Sequence, residues 1–130
     1  MNKVSIVLKK SMTNGQKANC AAILMGQLVG VCPDIYEMNP IRDPNGIPHA
    51  SIKNNVIVLE TNENKLVKLL EELNEVQYVV FTDIGQSYSN SFDNYKKDIL
   101  AGKEYSVVGI AIYGNQEAVN YITKKFSLYK

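Results

Sequence analysis

The 130-residue chain lacks the marks of several protein classes. It has no apolar run near the ~20 residues that a membrane-spanning helix requires, and its longest runs are strand-sized. The first apolar stretch, Val4 to Leu8, is too short for the hydrophobic region of a secretory signal and is closed by Lys9 and Lys10. Both points predict a cytoplasmic protein with no membrane partner. An excess of one charge is missing too: 14 Lys+Arg against 13 Asp+Glu leave a formal net charge of +1. A nucleic-acid binder is expected to carry a clearly basic face, which this balance does not supply. There is no CxxC and no zinc-like spacing. Cys20 and Cys32 would lie ~18 Å apart on a helix, whereas a disulfide needs Cα atoms within ~7 Å. Free thiols fit a reducing compartment. Histidine occurs once, as His49, and no local Ser/His/Asp signature surrounds it. No metal and no cofactor is expected. Tyrosine is frequent, with 8 residues, but forms no stripe of the kind that stacks bases.

What is present describes an ordinary globular chain. Hydrophobic residues make up 45% and charged residues 21%, the usual balance for a soluble domain. The length predicts one domain over residues 1–130, burying roughly two thirds of its unfolded surface. Most of the punctuation sits in one place: Pro33, Pro40, Pro44 and Pro48 all fall between Cys32 and Ser51, with Asn45-Gly46 marking a turn. That stretch is too long for a simple linker and is expected to pack as a structured excursion, with short extended pieces around Ile35 to Glu37.

The rest alternates between strand and helix. Val4 to Leu8 reads as a strand buried on both faces. Thr13-Asn14-Gly15-Gln16 fits a capping box, opening a helix from Asn14 to Gly30. Ala18, Ala21, Ala22, Met25 and Val29 form one face of it, widened by Cys20, Leu24 and Leu28. Val56 to Glu60 is a second strand. Leu66, Leu69, Leu70 and Leu73 follow the helical i, i+3, i+4, i+7 spacing, capped by Thr61 or Asn62. Gln77 to Thr82 is a third strand, followed by a polar loop over residues 83–94. Phe92 to Leu100 reads as a short helix ending at Gly102. Tyr105 to Tyr113 is a fourth strand, in which Gly109 implies close backbone approach. Asn115 caps a helix from Gln116 to Thr123, and Phe126 to Tyr129 is a last strand. This order predicts an α/β fold, with a mixed, mostly parallel sheet and helices on both faces. Right-handed crossovers bring the carboxyl ends of parallel strands to one edge, where ligands bind in open sheets. Asn14, Gly15 and Gln16 are therefore expected near Asp83, Gly85 and Gln86.

Four stretches carry a family resemblance: KVSIVLKK with NGQKANCAAILMGQL, then RDPNGIPHASI, then FTDIGQSYSN, then VVGIAIYGNQEAVNYITKKFSLYK. Together they resemble a bacterial family, domain of unknown function family 2000, with the type 2 peptidyl-tRNA hydrolase fold. The likeness covers nearly the whole chain, and GIAIYGNQEAVNYITKKFSLYK is its most specific part. True type 2 peptidyl-tRNA hydrolases carry a lysine just after the glycine of the first turn, then a glutamine and a histidine along the helix. Those positions are Gln16, Cys20 and Ile23 here, and all three depart from the enzyme pattern. Gly15 is kept, Asp83 in TDIG matches the enzymes' aspartate, and VVGIAIYG matches their later strand. Loss of the lysine removes a fixed cation that would hold phosphate or developing negative charge. The resemblance thus implies the fold and the location of the site, with a homodimer compatible with the fold family.

Each candidate has a plainer alternative. Asp83 follows a buried strand and suits a general base, or else caps the next turn through local hydrogen bonds. Gln16 contacts a ligand or completes the capping box. Asn19 lies one turn into a helix otherwise poor in polar groups, which places it in the cleft or against a loop. Cys20 sits near a helix N-terminus, where a thiolate is favoured, but most buried cysteines are small hydrophobes. His49 packs in its own loop unless the excursion folds onto the site. Lys9, Lys10 and Lys17 flank the helix start and suggest an anion site, against the commoner case of solvated lysines. Two functions follow. The first is a ligand-binding or regulatory domain, lacking the enzymes' lysine, for a small molecule or an RNA-derived ligand. Asn14, Gly15, Gln16, Asn19, Gly85, Gln86 and His49 would form its site. The second is an ester or amide hydrolase that uses Asp83, with Cys20 or His49 as a further candidate.

Overall fold

The computed structural model of the chain describes residues 1–88 and 91–130. Ser89 and Asn90, in the polar loop expected over residues 83–94, lie outside the described residues. The principal sheet has five strands in the order β5-β6-β1-β4-β7. They are β1 (Asn2–Lys9), β4 (Asn55–Thr61), β5 (Gln77–Thr82), β6 (Val107–Asn115) and β7 (Ser127–Leu128). A hairpin of β2 (Ile41–Arg42) and β3 (Pro48–His49) stands apart from it. The helices are α1 (Asn14–Val31), α2 (Glu63–Leu69), α3 (Asp83–Ser87), α4 (Phe92–Leu100) and α5 (Gln116–Thr123).

The sheet is mixed but mostly antiparallel, which corrects the expectation of a mostly parallel one. Among the described residues only β1 and β4 pair in parallel; β6 is antiparallel to both β1 and β5, and β7 is antiparallel to β4. Strand direction explains the discrepancy. β1, β4 and β5 all run the same way, as the strand–helix alternation suggested. β6 then inserts between β5 and β1 and reverses both pairings. The chain between β5 and β6 can do this because α3 and α4 do not cross a face; α4 buries none of its residues.

Helices nevertheless cover both faces. On one, Val4, Ile6 and Leu8 of β1 pack with Cys20, Leu24 and Leu28 of α1 and with Phe81, Ala111 and Tyr113. On the other, Val7, Ile110 and Ile112 pack with Leu66 and Leu69 of α2, Leu73, Val119 and Ile122 of α5, and Phe126. The period of two along β1 sends alternate residues to the two cores. The buried stripe of α1 is Cys20, Leu24 and Leu28; Ala18 and Ala22, expected on it, are exposed. A Cβ on Gly109 would lie 2.7 Å from Cys20 Sγ and 2.9 Å from Leu24 Cδ1. Glycine at that point lets α1 sit directly on β6, the close approach its place in the strand implied.

The proline-rich excursion is anchored at its base. Pro33–Ile35 forms a 3-10 turn in which Ile35 is fully buried, and the extended piece expected around Ile35 to Glu37 is found at Tyr36. Tyr36 bridges Ile52, Ser51 Oγ donates to Glu37 O at 3.0 Å, and Asn54 Nδ2 donates to Ile35 O at 3.1 Å. The hairpin beyond is exposed. Its turn is held by Asp43 Oδ1, which accepts from the Asn45 and Ile47 amides, and by Gly46 at φ +80°.

Candidate functional site

Because β1 and β5 run the same way, their carboxyl ends share one edge of the sheet even though β6 separates them. The turn before α1 and helix α3 meet there. Gln86 Nε2 of α3 lies 3.4 Å from Met12 Sδ in that turn. The start of α1 is fixed by the expected capping box: Gln16 N–H donates to Thr13 Oγ1 at 3.2 Å, and Thr13 N–H donates to Gln16 Oε1 at 2.9 Å.

A cleft of about 500 Å³ opens beside this junction, within the range of small-molecule sites. Asn19 and Ile23 line it from α1, Gly85 and Gln86 from α3, and Phe92 and Tyr95 from α4; Phe81, Tyr88 and Ser91 complete it. Among these residues none is charged. A Cβ at Gly85 would fall 2.3 Å from Phe81 Cε1, so the ring lies over Gly85 as it does because no side chain stands there. Tyr88 ties α4 to the segment after α3. Its hydroxyl donates to Asp98 Oδ2 at 2.7 Å, and Lys103 Nζ reaches the same oxygen at 3.4 Å. The Tyr88 hydrogen bond, aided by Lys103, holds the Asp98 carboxyl below the usual carboxylate range and pushes the Tyr88 phenol up.

Of the residues expected at the site, Asn19, Gly85 and Gln86 come together in this cleft. Asn19 is exposed and, among the described residues, its carboxamide has no hydrogen-bond partner; of the two places expected for it, the cleft or a neighbouring loop, it takes the cleft. The others are placed differently. Gln16 is engaged in the capping box. Asn14 Oδ1 accepts from Tyr129 OH at 3.0 Å, on the opposite flank of α1, and Gly15 is exposed beside it. Asp83 stands at the same sheet edge but does not line the cleft. Its Oδ1 accepts from Ser106 N–H at 2.9 Å and its own N–H donates to Ser106 O at 3.0 Å, so it fastens the start of α3 to the approach to β6. Cys20 is fully buried, and burial pushes its thiol up to about 12. That is the setting of a packed small hydrophobe, not of a thiolate nucleophile. His49 is exposed on the hairpin, where its Nε2 lies 2.9 Å from Asp43 Oδ2. That hydrogen bond, with the Ile47 amide, holds the Asp43 carboxyl low. Among the described residues no group of three or more His, Cys, Asp or Glu side chains is arranged to hold a metal ion.

Two features were not legible beforehand. The aromatic side chains Phe81, Tyr88, Phe92 and Tyr95 gather around one cleft although they form no stripe in sequence. Lys17, expected either at an anion site or as a solvated lysine, is buried on α1 and pairs with Glu60 of β4 at 2.8 Å, against the Tyr129 ring at 4.9 Å from its centroid. The signal for Lys17 was present: it precedes Cys20 and Leu24 by three and seven positions, on the buried stripe. Glu60 likewise continues the face of Val56 and Val58.

Two other depressions are less suited to selective binding. One of about 880 Å³ lies at the opposite sheet edge, among Glu72, Glu75, Glu117, Lys124 and Lys125. Its charges of both signs leave no clear preference. One of about 670 Å³ flanks the excursion, between Val29, Pro33, Tyr36 and Pro40.

Comparison with known proteins adds a family and a fold. No curated protein matches. A solved structure of a protein of unknown function from Agrobacterium tumefaciens superposes with a TM-score of 0.83 at 21% sequence identity, covering 99% of this chain and 98% of that one. Residues 2–130 match the family described as "Protein of unknown function (DUF2000)", and the chain belongs to it.

Proposed function

For this member of the DUF2000 family, we propose a non-hydrolytic ligand-binding role on a type 2 peptidyl-tRNA hydrolase-like fold, with a small molecule held in the cleft between α1, α3 and α4. One observation carries the reading. The cleft offers carboxamides, hydroxyls and aromatic rings, and among the described residues that line it there is no cysteine, histidine or charged side chain. The three positions at which the enzymes keep their polar residues support it. Gln16 is committed to the helix cap, Cys20 is sealed in the core, and Ile23 forms part of the cleft wall. Acyl-transfer chemistry needs a group that takes up a proton and donors for the oxyanion. None of these three residues provides them.

The test is a hydrolysis assay of the purified protein with peptidyl-tRNA and with simple aryl esters. No turnover above the buffer rate is expected. A second reading rests on Asp83, whose carboxylate is exposed at the same sheet edge with Oδ1 fixed by Ser106. Turnover that Asp83→Asn abolishes, with the fold unchanged by circular dichroism, would replace the first reading with an Asp83-dependent hydrolase.

A further inference from the structure

Accepting the cleft as the ligand site, we infer that its ligand is an uncharged planar heterocycle carrying a hydrogen-bond donor and an acceptor on its edge, the chemical class of a free nucleobase. Charge is decided first. An anionic ligand needs a cation, and no lysine or arginine is among the described residues that line the cleft. Lys17 is paired with Glu60 on the far flank of α1, and Lys103 reaches Asp98. A cationic ligand needs a carboxylate, and none is among the described residues that line the cleft; the nearby Asp98 holds Tyr88 and Lys103. A ligand charge set against these rings and amides loses hydration without gaining a partner, which opposes binding.

Shape is decided by the aromatics. Phe81 is a buried ring fixed over Gly85, and Tyr88 is fixed by Asp98. Phe92 and Tyr95 face them from α4, a helix with no residue in the core. Phe92 is 69% exposed, a large apolar surface left open at the mouth of the cleft. Rings on facing walls favour a flat, polarisable guest, and base–aromatic stacking is worth about 1–3 kcal/mol per base. The edge is decided by the amides. Asn19 and Gln86 approach from different elements, and each presents an acceptor oxygen and a donor nitrogen. Gln86 uses its nitrogen only for a weak bond to Met12 sulfur, and Asn19 has no partner among the described residues. A purely apolar guest would cover these groups without satisfying them, which opposes binding.

The experiment follows the side-chain amide signals of Asn19 and Gln86 by NMR during titration with adenine, uracil, orotate and cyclohexanecarboxamide. Orotate is the uracil ring bearing a carboxylate. At least one neutral base is expected to shift both amides, with uracil bound at least tenfold more tightly than orotate if uracil is the base that binds. Asn19→Leu, a change at an exposed and unpartnered side chain, is expected to weaken that binding at least tenfold without altering the remaining spectrum. If orotate or the saturated amide shifts Asn19 and Gln86 while neither base does, the inferred class is wrong and the cleft stands as a site. If all four compounds leave both signals unmoved, the class is wrong and the proposed cleft loses its support as well.

Discussion

Lys17 and Cys20 stand one turn apart on α1 and show how neighbouring side chains take opposite solutions to burial. Lys17 keeps its charge by meeting Glu60 at 2.8 Å, with side-chain exposures of 8% and 14%. Removing one partner strands the other in a poorly hydrated place, at a cost of about 3 kcal/mol. Lys17→Met is therefore expected to lower the urea midpoint substantially, and Lys17→Met with Glu60→Leu to recover most of the loss. Cys20 instead stays neutral. Its folded pKa of about 12 exceeds the 9.0 of an ordinary thiol, so the native state holds a proton that the unfolded state releases. Its contribution to stability is complete below pH 9 and is lost as pH rises toward 12, at up to about 1.4 kcal/mol per pH unit. Denaturation midpoints between pH 8 and 10.5 should fall more steeply in the wild type than in Cys20→Ala. The Cys20 character was readable from sequence, because a cysteine among alanines and leucines is usually packed. The Lys17 pair was not, because its partner lies 43 positions away.

Among the elements, α1 and α4 are opposites. α1 is capped by Thr13 and Gln16 and buries a stripe against β6 and β1. α4 buries nothing in the core, and one hydrogen bond from Tyr88 to Asp98 ties it to the segment after α3. A helix so held should open locally at little cost. Tyr88→Phe is expected to speed amide hydrogen exchange over residues 92–100 while shifting global stability by no more than about 1 kcal/mol. Exchange accelerating equally in α1 would refute this division. The extents of α4 and α5 match those anticipated because each carries a local signal, the Gly102 stop and the Asn115 cap respectively. Helix α3 was anticipated as loop: its five residues are too few to display a helical period, and its start depends on Asp83 reaching Ser106, 23 positions away.

Across the molecule, the two cores share β1 and β6 as their common wall. A cavity on either side should therefore weaken the same cooperative unit. Leu24→Ala and Leu66→Ala, one from each core and both buried, are each expected to cost about 2–5 kcal/mol. Unfolding followed by circular dichroism and by tyrosine fluorescence should remain coincident in both variants; separated transitions would show two independent units. From the residue order one can obtain where most strands and helices lie, which faces they bury, and that the ends of β1 and β5 share an edge. Periodicity, caps and turn residues act over a few positions, so each element carries its own record. The folded molecule alone settled that β6 enters between β5 and β1, that Lys17 meets Glu60, and that Phe81, Tyr88, Phe92 and Tyr95 surround one cleft. Those outcomes depend on which distant segments win the competition to pair, and that contest leaves no mark in local spacing.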